Sequence, residues 1–349
     1  MAKRKNNRKK KYSKTELKVL VTLVLILLIA TILLTVLTFL FPTLRNIAFI
    51  DKWMTAVESI LYPEEENIVI PDGTVAVYYI DVGQGDATLI VAPNGEKFLI
   101  DAGEDEMAVE YLKKYNITRL DYVMFTHYDS DHIGGGDEVL EYCEVKNVIK
   151  PNCTPHNKMG QNLLLDVEAE GSNVIHPEPG DILQMGDVKL EFLTSSTDLP
   201  SDSNEKSLCM MLTFGKNKFL FTGDAEKERE AEMIENYGKK LDADVYKAGH
   251  HGADNASGTD FMKLVTPEYA IFSCGTGNKY GHPTPGAVDR IDDYTNLLFR
   301  TDTMGTVTFM SDGENITYEV EKGTAPTAWQ GVVFTPVMVK AILTCKSYH

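Results

Sequence analysis

An apolar run, Tyr122-Val123-Met124-Phe125, leads into His127-Tyr128-Asp129-Ser130-Asp131-His132 and then into Ile133-Gly134-Gly135-Gly136. The run has the composition of a buried strand, and the polar hexapeptide begins where that strand would end. Its two imidazoles and two carboxylates are good ligands for Zn, Mn or Fe, and on one loop they can converge on one or two cations. A polar loop that happens to contain histidine is the alternative interpretation.

Two later segments favour the metal interpretation. Thr222-Gly223-Asp224 follows a predicted strand at 218–221, and Gly249-His250-His251-Gly252 follows another at 244–247. Because each polar segment directly follows a predicted strand, their side chains would lie along one edge of the sheets. Together they supply the further carboxylate and imidazoles that a binuclear site needs.

These segments resemble those of the metallo-β-lactamase fold superfamily, whose signature is His-x-His-x-Asp-His followed by Gly-Gly. Asp129 stands where the superfamily has its second histidine. That departure is typical of the ComEC/Rec2-like branch, the hydrolase domain of DNA-uptake competence proteins. The resemblance spans residues 75–318 and includes six further ordered blocks, namely Asp81–Ala87, Ile100–Gly103, Asn204–Leu208, Phe221–Asp224, Lys247–Gly252 and Asn278–Pro283.

The resemblance implies an α/β fold, a four-layer αββα sandwich, over residues 74–322. The predicted elements agree, because strands and helices alternate from Thr74 onward. The predicted strands cover residues 75–82, 87–91, 97–100, 120–125, 145–150, 188–193, 208–214, 218–221, 244–247, 269–273, 297–300, 306–310 and 316–320. Helices are predicted at 105–115, near 163–169 and at 225–237.

The resemblance also implies a ligand set. His127 and Asp129 would bind one metal ion, Asp131 and His132 would bind a second, Asp224 would bridge the two, and His250 would complete the second site. Many superfamily members place a further histidine on the first metal, but no histidine lies between His176 and Asp224. His176 itself lies in a Pro-flanked loop, where a surface histidine is the ordinary interpretation. The first metal is therefore expected to be weakly held, or completed by a water or substrate oxygen.

Two predicted catalytic residues are Asp131 and His282. His282, in Tyr280-Gly281-His282-Pro283, could protonate a leaving alkoxide or bind a phosphate oxygen, although it could also simply fix its loop. The resemblance implies that four residues orient the ligands or neighbouring loop amides from behind, namely Asp86, Asp101, Asn204 and His251. Turn aspartates with no such role are the alternative for Asp86 and Asp101.

The oxygen of Asp129 has a consequence for the metal and the reaction. A hard, anionic ligand in place of an imidazole favours Mn²⁺ or Mg²⁺ relative to Zn²⁺, so we expect two divalent metal ions, Mn or Zn, with Mn favoured. Two adjacent cations suit phosphodiester hydrolysis, which indicates a phosphodiesterase or nuclease. The alternative is a hydrolase of a small ester, a lactam or a phosphorylated envelope component. A binding module without catalysis is disfavoured because the ligating positions are filled.

The N-terminal region predicts a membrane anchor. Residues 1–14 carry eight Lys or Arg and no acidic residue, and 19–41 is an uncharged, apolar run long enough to cross a bilayer core of roughly 30 Å. We therefore predict a cytoplasmic tail at 1–16, a transmembrane helix at 17–42 and a linker at 43–73 that contains a short helix. A cleaved signal peptide is the alternative, but the run is long and no small-x-small site follows it. Residues 323–349 form a tail of unknown role.

The charge of the chain limits its partners. Beyond residue 14 the chain carries 26 basic and 51 acidic side chains, a net charge of −25. Nucleic-acid binding normally uses a basic face, and none is visible in the sequence. A phosphodiester or other ester is therefore the expected substrate, with DNA as one candidate and poor affinity for duplex DNA. The sequence indicates no particular protein partner.

Overall fold

A computed structural model of the chain describes residues 68–326, apart from residues 201 and 296. In this part of the chain, fifteen strands form two sheets. The strands are β1 (Val75–Tyr79), β2 (Thr88–Val91), β3 (Lys97–Ile100), β4 (Arg119–Met124), β5 (Glu144–Ile149), β6 (Asn173–Ile175), β7 (Ile182–Met185), β8 (Val188–Phe192), β9 (Met210–Phe214), β10 (Asn217–Phe221), β11 (Val245–Lys247), β12 (Tyr269–Phe272), β13 (Leu298–Arg300), β14 (Val307–Ser311) and β15 (Ile316–Val320).

Helices cover the outer faces of the sheets. They are α1 (Met107–Lys114), α2 (Ser130–Ile133), α3 (Gly136–Tyr142), α4 (Lys158–Glu170), α5 (Lys227–Tyr237), α6 (Thr259–Val265), α7 (Pro285–Asp292) and α8 (Thr301–Met304). Helix α4 begins where the Asn157 side chain accepts a hydrogen bond from the Gly160 amide, which satisfies one of its free amides. It ends at Gly171, whose φ of 77° costs least in a residue without a Cβ.

Each sheet is parallel on one side and antiparallel on the other. The first sheet has the order β15-β14-β1-β2-β3-β4-β5-β6 and is parallel from β3 to β6. The second has the order β13-β12-β11-β10-β9-β8-β7 and is parallel from β13 to β10. Because parallel strands end at a common edge, the loops after β3 and β4 lie together, as do those after β10, β11 and β12.

Three apolar clusters hold the layers together. Between the sheets, Val77 and Tyr79 point from β1 into a shared core, where the Tyr79 ring stacks on Phe221 of the second sheet. The outer face of the first sheet packs against helices such as α1, through Leu112. The outer face of the second packs against helices such as α5, through Met233. The order helix, sheet, sheet, helix confirms the predicted αββα sandwich.

Within the described residues, the predicted strands and helices are present, with ends that differ by a few residues. Strand β1 ends at Tyr79 rather than at residue 82, because the Ile80 amide donates to the Ala87 carbonyl and closes a loop. The sequence did not predict β6, β7, α2, α3, α6, α7 or α8, all of which are short. The start of helix α7 nevertheless has a sequence signal. The Thr284 side chain accepts a hydrogen bond from the Ala287 amide, and Pro285 is the first residue of the helix.

The predicted membrane segment lies outside the described residues, as do the predicted linker helix and most of the C-terminal tail. Among residues 68–326, apart from the two omitted ones, no helix is long and apolar enough to cross a membrane. The domain boundaries at residues 16, 42, 73 and 322 therefore stay predictions.

Candidate metal centre

The candidate ligands meet at the carboxyl ends of parallel strands from both sheets. The loop after β4 carries His127, and helix α2 at its end carries Asp131 and His132. The loop after β10 carries Asp224, and a tight turn after β11 carries both histidines of Gly249–Gly252. Two sheets thus contribute to one site, as the strand-end pattern of the sequence predicted.

Asp224 lies at the centre of this site, with different imidazoles facing its two oxygens. Its Oδ1 is 3.1 Å from His132 Nε2 and 3.5 Å from His251 Nε2. Its Oδ2 is 4.0 Å from His127 Nε2 and 3.6 Å from His250 Nε2. Because the carboxylate is buried, each oxygen faces its own set of nitrogen atoms rather than water.

The two remaining carboxylates of the motif fall on opposite sides of Asp224. Asp131 Oδ2 lies 3.3 Å from His251 Nε2, on the Oδ1 side. Asp129 Oδ2 lies 3.9 Å from His127 Nε2, on the Oδ2 side. The other Asp129 oxygen accepts a hydrogen bond from Ser203 and lies 3.7 Å from His156 Nε2. We call these two sets of atoms the Oδ1 side and the Oδ2 side of Asp224.

All four imidazoles are held through Nδ1. The Nδ1 partners are Thr126 Oγ1 at 3.1 Å for His127, Asp101 Oδ2 at 2.8 Å for His132, Glu226 Oε1 at 3.0 Å for His250 and the Ser273 carbonyl at 3.0 Å for His251. A partner on Nδ1 fixes the ring and leaves the Nε2 lone pair free for a cation.

The free atoms fit divalent cations. Among the described residues, the buried atoms without a hydrogen-bond partner include His127 Nε2, His132 Nε2, His251 Nε2 and Asp224 Oδ1. Buried polar atoms are rarely left without a partner, and here they converge on one carboxylate. Within the described residues, Asp86, His132, Asp224 and His251 offer ligand atoms that all lie within 4.8 Å of one another. Nitrogen and oxygen donors in this arrangement suit Zn or Mn.

The electrostatics of the site favour added positive charge. Burial opposes ionisation of Asp224, but the imidazoles of His132 and His251 hold its pKa well below the usual range. Burial also opposes the charged form of His251 and by itself would lower its pKa. The Asp224 and Asp86 carboxylates outweigh this effect and raise the pKa of His251 to about 10. The pKa of His127 is lowered, by burial and then by His132. The Asp224 and Asp86 carboxylates thus stabilise positive charge at the site, here as the proton on His251.

A strained turn separates the paired histidines. His250 has a φ of 47° and His251 a φ of 55°, both in the left-handed region that residues with a Cβ avoid. Such conformations cost about 1–3 kcal/mol each and persist where the surrounding structure enforces them. Here the His250 amide donates to the Gly223 carbonyl, and its own carbonyl accepts from the Ala253 amide. The turn sends consecutive imidazoles to opposite sides of Asp224.

The loop before β2 fixes the position of Asp131. The Asp86 amide donates to the Asp131 carbonyl at 3.0 Å. A Cβ on Gly85 would lie 2.2 Å from that carbonyl oxygen, so only glycine allows this approach, and its φ of 131° also requires glycine. Asp86 also contacts the site, because its Oδ1 lies 3.2 Å from His251 Nδ1 and its Oδ2 lies 2.8 Å from Lys247 Nζ.

His282 lies at the rim of the site. Its ring centre is 5.4 Å from that of His250, and the half-exposed Tyr280 stacks on its other side. The Asn278 side chain fixes the loop, since it accepts from the His282 amide and donates to the His282 carbonyl. Burial, followed by His250 and His251, lowers the pKa of His282 to about 4. At neutral pH this imidazole therefore offers a hydrogen bond rather than an imidazolium proton.

The structure brings the predicted site residues together with one rearrangement. The sequence placed His250 with Asp131 and His132, and gave His251 a supporting role. The distances reverse these positions, because His251 Nε2 faces Asp131 and His250 Nε2 faces the Oδ2 side. The sequence contained both histidines but no signal for the strained turn that separates them.

The predicted supporting residues lie behind the ligands. Asp101 Oδ2 holds His132 and also accepts from the Thr126 hydroxyl. The side-chain amide of Asn204 donates to Glu226 Oε1 at 2.9 Å, and its nitrogen lies 3.5 Å from His250 Nδ1. His176 is remote from these contacts, with its Nδ1 2.9 Å from the Lys150 carbonyl.

Several residues of the site were not predicted. They include Thr126 and Ser207 behind His127, Glu226 behind His250, and Ser203 on Asp129. Thr126 directly precedes the motif and Glu226 follows Asp224 by two residues, so proximity in sequence was the available signal. Ser203 precedes the predicted residue Asn204, but 74 residues separate it from its partner Asp129, so their contact could not be predicted.

Comparison with known proteins identifies the family of the chain. The profile of the Metallo-beta-lactamase superfamily matches residues 80–276, which include the six predicted ligands. The chain belongs to this superfamily. A metallo-beta-lactamase fold protein of known structure, YhfI from Bacillus subtilis, is similar to the chain, with 12% sequence identity and a TM-score of 0.48 over 68% of this chain and 99% of that one.

The curated relatives of this metallo-beta-lactamase superfamily member include competence and recombination proteins. ComE operon protein 3 of Bacillus subtilis (strain 168) is 30% identical over 66% of this chain and 32% of its own length. Competence protein ComA of Neisseria gonorrhoeae is 30% identical over 69% of this chain and 33% of its own length. The chain spans about a third of the length of these relatives. They are consistent with the predicted ComEC/Rec2-like branch.

Replacing Lys247 with Met should strongly destabilise the domain. Lys247 and Asp86 form an ion pair that is almost fully buried, so the substitution removes the lysine charge that faces Asp86 Oδ2 and leaves only His251 beside this carboxylate. We expect the free energy of unfolding to fall by about 3–5 kcal/mol, measured by urea unfolding of the metal-free protein.

The double variant Lys247→Met/Asp86→Asn should recover much of this loss, because the buried charge is then also removed. The exposed pair between Lys263 and Asp260 is the matched control, and Lys263→Met should leave the unfolding midpoint nearly unchanged. A loss for Lys247→Met no larger than this control would contradict the expected cost.

Proposed function

We propose that this chain is a membrane-anchored, extracytoplasmic hydrolase that cleaves phosphodiester bonds with two divalent cations. The observation that carries the proposal is Asp224, a buried carboxylate with a separate set of ligand atoms facing each oxygen. A carboxylate between two sets of donors is suited to bridging two cations. The unpartnered nitrogen atoms around it support the same interpretation.

The chain's own residues divide into two holding sets. Asp131, His132 and His251 would hold one cation at Oδ1 of Asp224, and His127 and Asp129 would hold the other at Oδ2. When bound, the two cations would activate a water molecule for attack on phosphorus and stabilise the charge of the leaving oxygen. Asp131 would contribute to catalysis as a ligand, fixed by the Asp86 loop behind it.

His282 would contact the substrate at the rim. Its neutral imidazole can donate a hydrogen bond to a phosphate or leaving-group oxygen without carrying its own charge. The Asn278 contacts hold the loop that presents it. This arrangement supports positioning of a phosphodiester beside the metal centre rather than proton donation from an imidazolium.

A nucleic-acid strand is one candidate substrate, because the relatives with known names are competence and recombination proteins. The net charge of −25 beyond residue 14 repels an extended duplex, so we expect weak affinity for double-stranded DNA. The same charge favours the second candidate, a hydrolase of a small ester, a lactam or a phosphorylated envelope component.

Asp224→Ala should lower phosphodiesterase activity by more than about 100-fold, because the shared ligand of both cations is lost. Full-length protein in detergent would be assayed with bis(p-nitrophenyl) phosphate, a single-stranded oligonucleotide, a duplex and a β-lactam. His176→Ala is the matched control and should keep its activity. Efficient lactam hydrolysis without phosphodiester cleavage would support the second candidate instead.

Mn²⁺ should support higher activity than Zn²⁺. The carboxylate of Asp129 replaces an imidazole with a hard oxygen donor, and such donors shift preference away from Zn²⁺. The metal-stripped protein would be assayed on bis(p-nitrophenyl) phosphate with each ion at matched occupancy. Asp129→His should move the preference toward Zn²⁺, and a wild-type preference for Zn²⁺ would show that Asp129 does not set the metal.

The domain after residue 42 should lie outside the cytoplasm on an uncleaved span. The eight N-terminal basic residues are expected to stay in the cytoplasm, with the apolar run to residue 41 in the membrane. Protease added to intact cells, or to protoplasts, should degrade the domain while a cytosolic marker survives. Protection of the domain under the same conditions would contradict this topology.

A further inference from the structure

The Oδ2 side of Asp224 receives one imidazole from the hexapeptide motif. His127 and Asp129 lie there, and the segment between His176 and Asp224 adds no histidine. His250 Nε2 nevertheless lies 3.6 Å from Asp224 Oδ2, closer than His127 Nε2 at 4.0 Å. An imidazole from the second sheet thus faces the same oxygen as the imidazole from the first.

The direction of the His250 ring is fixed by two side chains. Glu226 Oε1 lies 3.0 Å from His250 Nδ1, and the side-chain amide of Asn204 donates to the same Glu226 oxygen. Glu226 is itself held, because its amide donates to the buried carboxylate of Glu205. A carboxylate on Nδ1 orients an imidazole and raises the basicity of its Nε2, as in the ligand histidines of metal sites.

The backbone explains why consecutive residues serve different sides. Both histidines adopt left-handed φ values, and the turn delivers His251 to the Oδ1 side and His250 to the Oδ2 side. A substrate-binding histidine at the mouth of the site would not require its Nε2 to point at the buried Asp224. The strain is therefore best explained by two ligands, one for each cation.

We propose that His250 supplies the second imidazole of the cation at Oδ2 of Asp224. This inference rests on the two-cation site proposed above and deepens it. Each cation then has the same donors, two imidazoles, one carboxylate of its own and one oxygen of Asp224. The sets are His127, His250 and Asp129 at Oδ2, and His132, His251 and Asp131 at Oδ1.

The decisive measurement is the number and affinity of bound Mn²⁺ ions, independent of activity. Full-length protein in detergent would be dialysed against graded Mn²⁺, with bound metal measured by mass spectrometry and spin coupling by electron paramagnetic resonance. Wild type should bind two ions and show a coupled pair. His250→Ala should keep one ion at unchanged affinity, bind the other at least about 10-fold more weakly and lose the coupled signal.

Double variants identify which ion is lost. His250→Ala/Asp129→Asn should still hold one ion, because both substitutions affect the Oδ2 side. His250→Ala/Asp131→Asn should hold neither ion tightly. His176→Ala is the control, and circular dichroism with thermal unfolding of the metal-free proteins would verify their folds. His250→Gln provides a second variant if His250→Ala does not fold.

Glu226→Ala tests the positioning role separately. It should weaken the same ion by about 10–100-fold without changing the other, because only the support of His250 is lost. Two tightly bound ions in His250→Ala, or loss of the Oδ1 ion instead, would overturn the inference while leaving the two-cation function intact. Fewer than two ions in wild type would instead overturn the proposed function itself.

Discussion

The rest of the site depends on the burial of one charged carboxylate between two sheets. Asp224 is almost fully buried, so its charge must be balanced by groups that the surrounding strands provide. His132 reaches it from the first sheet, and the paired histidines reach it from the second. The shared core between the sheets, where Tyr79 stacks on Phe221, sets their distance and therefore the spacing of the ligands.

Much of the fold, and the clustering of the candidate ligands, could be predicted because the relevant signals are local. The hexapeptide from His127 to His132 follows its strand directly, and Asp224 does the same. The division of His250 and His251 could not be predicted, since it depends on an unfavourable backbone conformation that only tertiary contacts enforce. Ser203 was missed because its partner Asp129 is distant in sequence and the link exists only in the folded chain.

Short elements were missed for a different reason. Segments such as β7 and α6 contain too few residues for a hydrophobic period to be read, and packing rather than propensity determines them. The boundaries of the predicted span at 17–42 rest on apolar length alone. The acidic composition, in contrast, bears directly on substrate choice, because long-range repulsion acts on a polyanion as a whole while cations act on a single phosphate.

The origin of the ligands in both sheets has a mechanical consequence. On the proposed assignment, each cation joins residues of the first sheet to residues of the second, so it acts as a cross-link between the two halves of the sandwich. Such a ligand binds the folded chain and not the unfolded one, so the free energy of unfolding rises with the logarithm of free metal concentration. On the proposed topology, the level of divalent ions around the domain would thus set its stability as well as its chemistry.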